Sequence, residues 1–142
     1  LRKDMEVNYF GILNVTQVIA PIIEKNGGGA IANVLSVVSF ASMPIFGGYN
    51  ASKAAAWSLT QSLRADLVSK NIKVYGIFPG PIDTDMAKGV PFDKTPPSEV
   101  AKDVFSTIEA GQQDDIFPDP MSKQVYQVWK TDHKAIEKQF AS

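Results

Sequence analysis

The chain has 142 residues, enough for one domain that buries roughly 68% of its unfolded surface. Fourteen Lys and Arg against 15 Asp and Glu leave a net charge of −1, which excludes the basic field that nucleic acid or an anionic membrane requires. Zero cysteines exclude disulfides, thiolate catalysis and sulfur-bound metal, and fit a reducing, cytoplasmic location.

No apolar run approaches the ~20 residues of a membrane span, and Leu1–Glu6 carries charges with no apolar stretch behind them, unlike a signal peptide. From Lys3 to about Lys25, Val7, Phe10, Val15, Val18, Ile19 and Ile22 recur at helical spacing, with Pro21 expected to kink or weaken the run. Asn26-Gly27-Gly28-Gly29 ends it as a turn, and Ala30–Leu35 reads as a short buried strand. A loop from about Ser36 to Gly48 precedes a helix over Tyr49 to about Lys70, which holds no Pro or Gly. After Asn71, Ile72–Phe78 is a second strand, broken by Pro79-Gly80-Pro81. Residues 86–97 form a loop, expected to act as a substrate lid. Ser98 is placed to cap a helix that ends at Gly111, Ile116-Phe117 is a short third strand, and one helix over about 121–140 finishes the chain within a C-terminal tail at 121–142.

Helices alternating with apolar strands predict an α/β fold with a parallel sheet of about three strands and flanking helices. Ligands in such sheets bind beyond the carboxyl ends of the strands, where the loops at Ser36 and Pro79 begin. Tyr49 and Lys53 lie four apart on one helix face. Tyr126 and Lys130 form a second such pair, but no apolar strand leads into it. Thirteen residues before Tyr49 stands Ser36 at a strand end, whereas Gln113 precedes Tyr126 by the same interval. Taken singly, Ser36 reads as a strand terminus, Asn8 as a polar residue on a helix surface and Thr84 as a helix cap.

Taken together, Val7-Asn8-Tyr9-Phe10-Gly11, Asn33-Val34-Leu35-Ser36, Tyr49-Asn50-Ala51-Ser52-Lys53 and Pro79-Gly80-Pro81-Ile82-Asp83-Thr84 occur in one order and spacing. In these motifs the chain resembles the short-chain dehydrogenase/reductase family from residue 1 to about 120. The resemblance implies the C-terminal half of a doubly wound, Rossmann-like sheet and a catalytic tetrad of Asn8, Ser36, Tyr49 and Lys53. Tyr49 would be the general acid or base that exchanges a proton with a carbonyl or alcohol oxygen. Ser36 would stabilise that oxygen's charge, and Asn8 would orient a water in the proton relay.

A phenol has a pKa near 10, and lowering it by about three units takes roughly 4 kcal/mol. One cation about 4 Å away supplies roughly that much at an effective dielectric of about 20, so Lys53 is expected to pull the phenol down. The resemblance further implies NAD or NADP as cofactor, held at its nicotinamide end by Tyr49, Lys53, Pro79, Gly80, Ile82 and Thr84. The reaction implied is hydride transfer between a small-molecule carbonyl compound and a secondary alcohol. Met43, Ile45, Phe46, Met86 and Phe92 suggest an apolar substrate lining.

The family's glycine-rich dinucleotide turn has no counterpart here, and Gly27-Gly28-Gly29 closes a helix instead of opening one. Residues 1–142 therefore read as a single partial domain, the catalytic half of such an enzyme. Helices 3–25 and 49–70 would form a homo-oligomer contact, or a complementary N-terminal fragment would cover the Ala30–Leu35 edge. The alternative is a non-catalytic association module. His133 reads as a solvated residue, and Asp114, Asp115 and Asp119 as surface charge with no metal site.

Overall fold

The computed structural model describes residues 2–142. Three parallel strands lie in the order β1 (Gly29–Val34), β2 (Ile72–Ile77) and β3 (Asp115–Ile116). Side chains of β2 alternate between two faces. Ile72 and Val74 pack with Ala20 of α2 (Gly11–Lys25) and Leu67 of α3 (Gly47–Leu67). Tyr75 and Ile77 pack on the other face with Val100 and Val104 of α4 (Pro97–Ala110). The result is the expected α/β layering, with β2 central.

The buried strand expected at Ala30–Leu35 is instead mostly exposed. Only Asn33 within β1 is buried, because β1 is paired to β2 on one side and forms the sheet edge among the described residues. The first helix also differs from its sequence pattern. A short helix, α1 (Arg2–Met5), leads into a π-helical turn over Glu6–Phe10, where the Gly11 N–H reaches back to the Glu6 carbonyl. α2 then runs unbroken through Pro21, held on either side by the packing of Ala20 and Ile23 on the sheet. The departure from α geometry thus sits at Asn8, not at Pro21, and such π turns are frequent at functional sites.

Two corrections concern the C-terminal third. α4 begins at Pro97, and Ser98 makes no capping bond; a proline at the first helical position needs no N–H partner there. The expected single helix over 121–140 is two helices, α5 (Pro120–Thr131) and α6 (His133–Ala141). Asp132 takes an extended conformation and its carboxylate accepts the N–H groups of Lys134 and Ala135, ending one helix and starting the next. The break lets Val125, Ile136 and Phe140 all face Val37, Val38 and Met43. Among the described residues, no helix is long and apolar enough to cross a membrane.

Candidate active site

The carboxyl ends of β1 and β2 bring the separated motifs together. Backbone bonds stitch them: Leu35 N–H donates to Ile77 O at 2.7 Å, and Val37 N–H donates to Pro79 O at 3.2 Å. Ser36 leaves β1 in extended conformation and caps a short 3₁₀ turn over Val37–Ser39, accepting the Val38 N–H at 3.3 Å. Phe40, next in the chain, sits among Trp57, Phe78, Phe117 and Trp129, with ring centroids 4.7 to 6.0 Å away. This aromatic cluster fixes the base of the Ser36 loop.

Tyr49 and Lys53 share one face of α3, as their spacing requires. The Ser36 hydroxyl lies beside the Tyr49 phenol, near enough to lower its pKa. The Lys53 ammonium lies 5.6 Å from the Tyr49 ring centroid. Burial pushes the phenol above its ordinary value of 10.0, the neighbouring Ser36 hydroxyl draws it down and the Asp4 carboxylate pushes it up. Burial pushes Lys53 below 10.5. The expected lowering of Tyr49 by Lys53 is therefore not what the structure shows. Burial of the phenol outweighs the lowering influence of Ser36, and the Lys53 ammonium, which donates to the Val34 carbonyl at 2.8 Å, does not reverse it.

Asn8 joins the site indirectly. Its Nδ2 donates to Ser52 Oγ at 2.9 Å, and Ser52 Oγ donates to the Tyr49 carbonyl at 2.8 Å. Ser52 is fully buried and ties the π turn to the first turns of α3. Asn8 and Lys53 also line an open groove of about 640 Å³ between α2 and the β1 edge, a size suited to a small ligand.

Pro79 is buried beside Ser36, and Gly80 follows it. Ile82 turns its side chain onto the β2–α4 core and pairs with Thr95 as a short parallel bridge. Thr84 is exposed and reaches only the Ile82 carbonyl at 3.5 Å; the structure shows no contact between it and the tetrad. Bonds from Asp83 N–H to Thr95 O and from Thr95 N–H to Pro81 O close the base of the 86–97 segment. Met86 stays 76% exposed beyond that base.

Sequence reasoning missed three residues. Ser52 carried no signal beyond its place in the motif. Asn50 is buried and its amide donates to the Met43 carbonyl at 2.7 Å, holding the Ser36 loop to α3. Asp119, expected as surface charge, is 2% exposed and forms a capping box with Ser122; the Asp-x-x-Ser spacing was its signal. Asp114 and Asp115 face Lys73 and Arg64. His133 is exposed at the start of α6, as expected.

Known proteins are similar to this chain in sequence and fold. The chain is similar to the 7alpha-hydroxysteroid dehydrogenase of Escherichia coli (strain K12), 42% identical over 89 residues, which are 63% of this chain and 35% of that protein. Its fold is similar to a short chain dehydrogenase from Burkholderia cenocepacia J2315 crystallised in complex with NADP, with TM-score 0.93 and 36% identity. That match covers 99% of this chain and 59% of the other. A short chain dehydrogenase/reductase from Burkholderia phymatum in complex with NAD is similar at TM-score 0.73 and 26% identity, over 95% of this chain and 58% of that one. The chain thus spans between 35% and 59% of the length of these proteins. The family model described as short chain dehydrogenase matches residues 1–94, the stretch that supplies Asn8, Ser36, Tyr49 and Lys53. By that match, and by the sheet that carries it, the chain belongs to the short-chain dehydrogenase/reductase family.

Proposed function

We propose that the protein carrying this chain is an NAD- or NADP-dependent oxidoreductase that interconverts a carbonyl compound and a secondary alcohol. The observation that carries this reading is the grouping of Ser36, the Tyr49 phenol and the buried Lys53, its ammonium 5.6 Å from the Tyr49 ring centroid, at the carboxyl end of a parallel sheet. Tyr49 acts as general acid: burial keeps its phenol protonated at neutral pH, ready to protonate a carbonyl oxygen. Ser36 donates a hydrogen bond to the same oxygen and stabilises its developing charge. Lys53 holds a positive charge next to the phenol and favours its conjugate base as the proton leaves. Asn8 orders a water at the groove, completing the route by which the proton is replaced.

The residues present suit the nicotinamide end of a dinucleotide. Lys53 offers an ammonium at the groove, and the Pro79–Gly80 turn is tied beside Ser36 by the bond from Val37 N–H to Pro79 O. Tyr49, Lys53, Pro79, Gly80, Ile82 and Thr84 would hold that end. When bound, the dinucleotide supplies or accepts the hydride. The complexes of the two Burkholderia proteins with NADP and NAD support this class of cofactor.

An apolar substrate fits the loop ends. Ile45 and Met86 are 73% and 76% exposed near the site loops, and residues 86–97 act as a lid hinged on the Ile82–Thr95 bridge. The Escherichia coli relative, a 7alpha-hydroxysteroid dehydrogenase, points the same way. Assembly uses α2 and α3, or a complementary N-terminal segment laid along the β1 edge. The test is an assay of the complete gene product with NADH and NADPH against a panel of hydrophobic ketones. Loss of reduced-nicotinamide absorbance that requires both ketone and Tyr49 supports the reading; no turnover with any ketone or alcohol overturns it.

A further inference from the structure

The Pro79–Gly80 turn is held from the far end of the chain. Gly80 N–H donates to Asp119 Oδ2 at 2.8 Å, while Asp119 Oδ1 accepts the Ser122 N–H at 2.9 Å. Capping a helix takes one oxygen. The second oxygen of Asp119 is therefore used on a different element, 39 residues away. The contact is also closed sterically: a Cβ on Gly80 would stand 2.8 Å from Asp119 Oδ1 and 3.2 Å from Met121 Cβ. From the same turn, Pro79 O accepts the Val37 N–H next to Ser36.

Resting on the nicotinamide reading above, we propose that Asp119 is a positioning residue for the cofactor. It sets the Pro79–Gly80 turn, and so the seat of the nicotinamide ring, against the Ser36–Tyr49 pair. The carboxylate is suited to this because it is acceptor-only and serves two N–H groups at once. An asparagine has one acceptor oxygen: if that oxygen keeps the cap, its NH₂ meets the Gly80 N–H donor to donor. Asp119→Asn should then release the turn and spare α5. Ser122→Ala does the converse. It removes the Ser122 hydroxyl's bonds to Asp119 N–H and O, and leaves the Gly80 bond in place.

The test uses the complete gene product, with dinucleotide affinity by calorimetry, thermal midpoint, and amide hydrogen exchange at Gly80 without cofactor. Asp119→Asn should weaken NAD(H) or NADP(H) about tenfold, the effect of losing one hydrogen bond to a charged group, and speed exchange at Gly80. Ser122→Ala should lower the midpoint while leaving both readings within twofold of wild type. Removing a negative charge near a polyanionic ligand tightens binding by Coulomb's law, so weakening in Asp119→Asn cannot come from the lost charge. Gly80→Ala approaches the contact from its other side and should weaken the same dinucleotide. Unchanged exchange and affinity in Asp119→Asn, or equal loss of affinity in Ser122→Ala, overturns the role of Asp119. Wild-type protein that binds neither dinucleotide overturns the nicotinamide reading instead.

Discussion

Lys53 donates a 2.8 Å hydrogen bond to the carbonyl of Val34 while its ammonium stands 5.6 Å from the centre of the Tyr49 ring. One cation thus serves the exposed edge of the sheet and the phenol together. Burial shifts the two groups in opposite directions, Tyr49 up from 10.0 and Lys53 down from 10.5. For Tyr49 the native state holds its proton longer, so its contribution is full below about 10 and lost as pH rises through the folded value. For Lys53 the unfolded state binds more protons, so stability rises as pH climbs from the folded value toward 10.5. Urea melts in steps through the alkaline range should show Tyr49→Phe without the loss and Lys53→Met without the gain. Parallel pH profiles for all three proteins would contradict both shifts.

Tyr49→Phe in the complete gene product should cost about 10²–10⁴ in reductase rate, the usual share of a general acid. Tyr126→Phe is the control. Tyr126 has Lys130 at 5.5 Å over its ring, much as Tyr49 has Lys53, but it stacks on Phe117 at 4.1 Å inside the aromatic cluster. Removing its hydroxyl should leave the rate unchanged. Steady-state assays in which the two variants match would remove Tyr49 from its role.

Ser52, itself fully buried, links the half-buried Asn8 to the Tyr49 carbonyl. Ser52→Ala should cost about 1–3 kcal/mol, because the Asn8 amide loses its partner. Asn8→Ala should cost less in a Ser52→Ala background than in wild type. Additive losses in denaturant melts would mean the two side chains act independently.

Gly28 adopts φ 110°, and a Cβ there would lie 2.3 Å from the Asn71 carbonyl oxygen. The turn before β1 and the turn before β2 touch at this point, with Asn71 Nδ2 donating to Gly27 O at 2.8 Å. Gly28→Ala should therefore destabilise by about 3 kcal/mol, combining left-handed strain with backbone overlap. A loss below about 1 kcal/mol by thermal or urea melts would show that the two turns separate freely.

The polypeptide Leu1–Ser142 by itself should associate. Among the described residues β1 has a strand on one side only, and Val15, Val18 and Ile22 of α2 are more than half exposed. Light scattering should report an oligomer, and calorimetry should detect no tight dinucleotide binding. A monomer with micromolar affinity for NAD(H) or NADP(H) would refute this.

Periodicity and punctuation in the sequence determined that the chain alternates helix and strand and that two strand ends open into loops at Ser36 and Pro79. These are local properties: side-chain spacing along 3.6-residue and two-residue repeats reports a face without knowing its partner. The same holds for Tyr49 and Lys53, whose juxtaposition follows from one turn of one helix. Tertiary structure alone decided the partner of Lys53, the direction in which Tyr49 shifts, and the burial of Asp119. It also decided the split at Asp132, where packing of both C-terminal helices on the Ser36 loop favours a second cap over a continuous helix. Each of those depends on which distant segment removes water from a polar group, and at 19 or 39 residues' separation no repeat in the sequence carries that information.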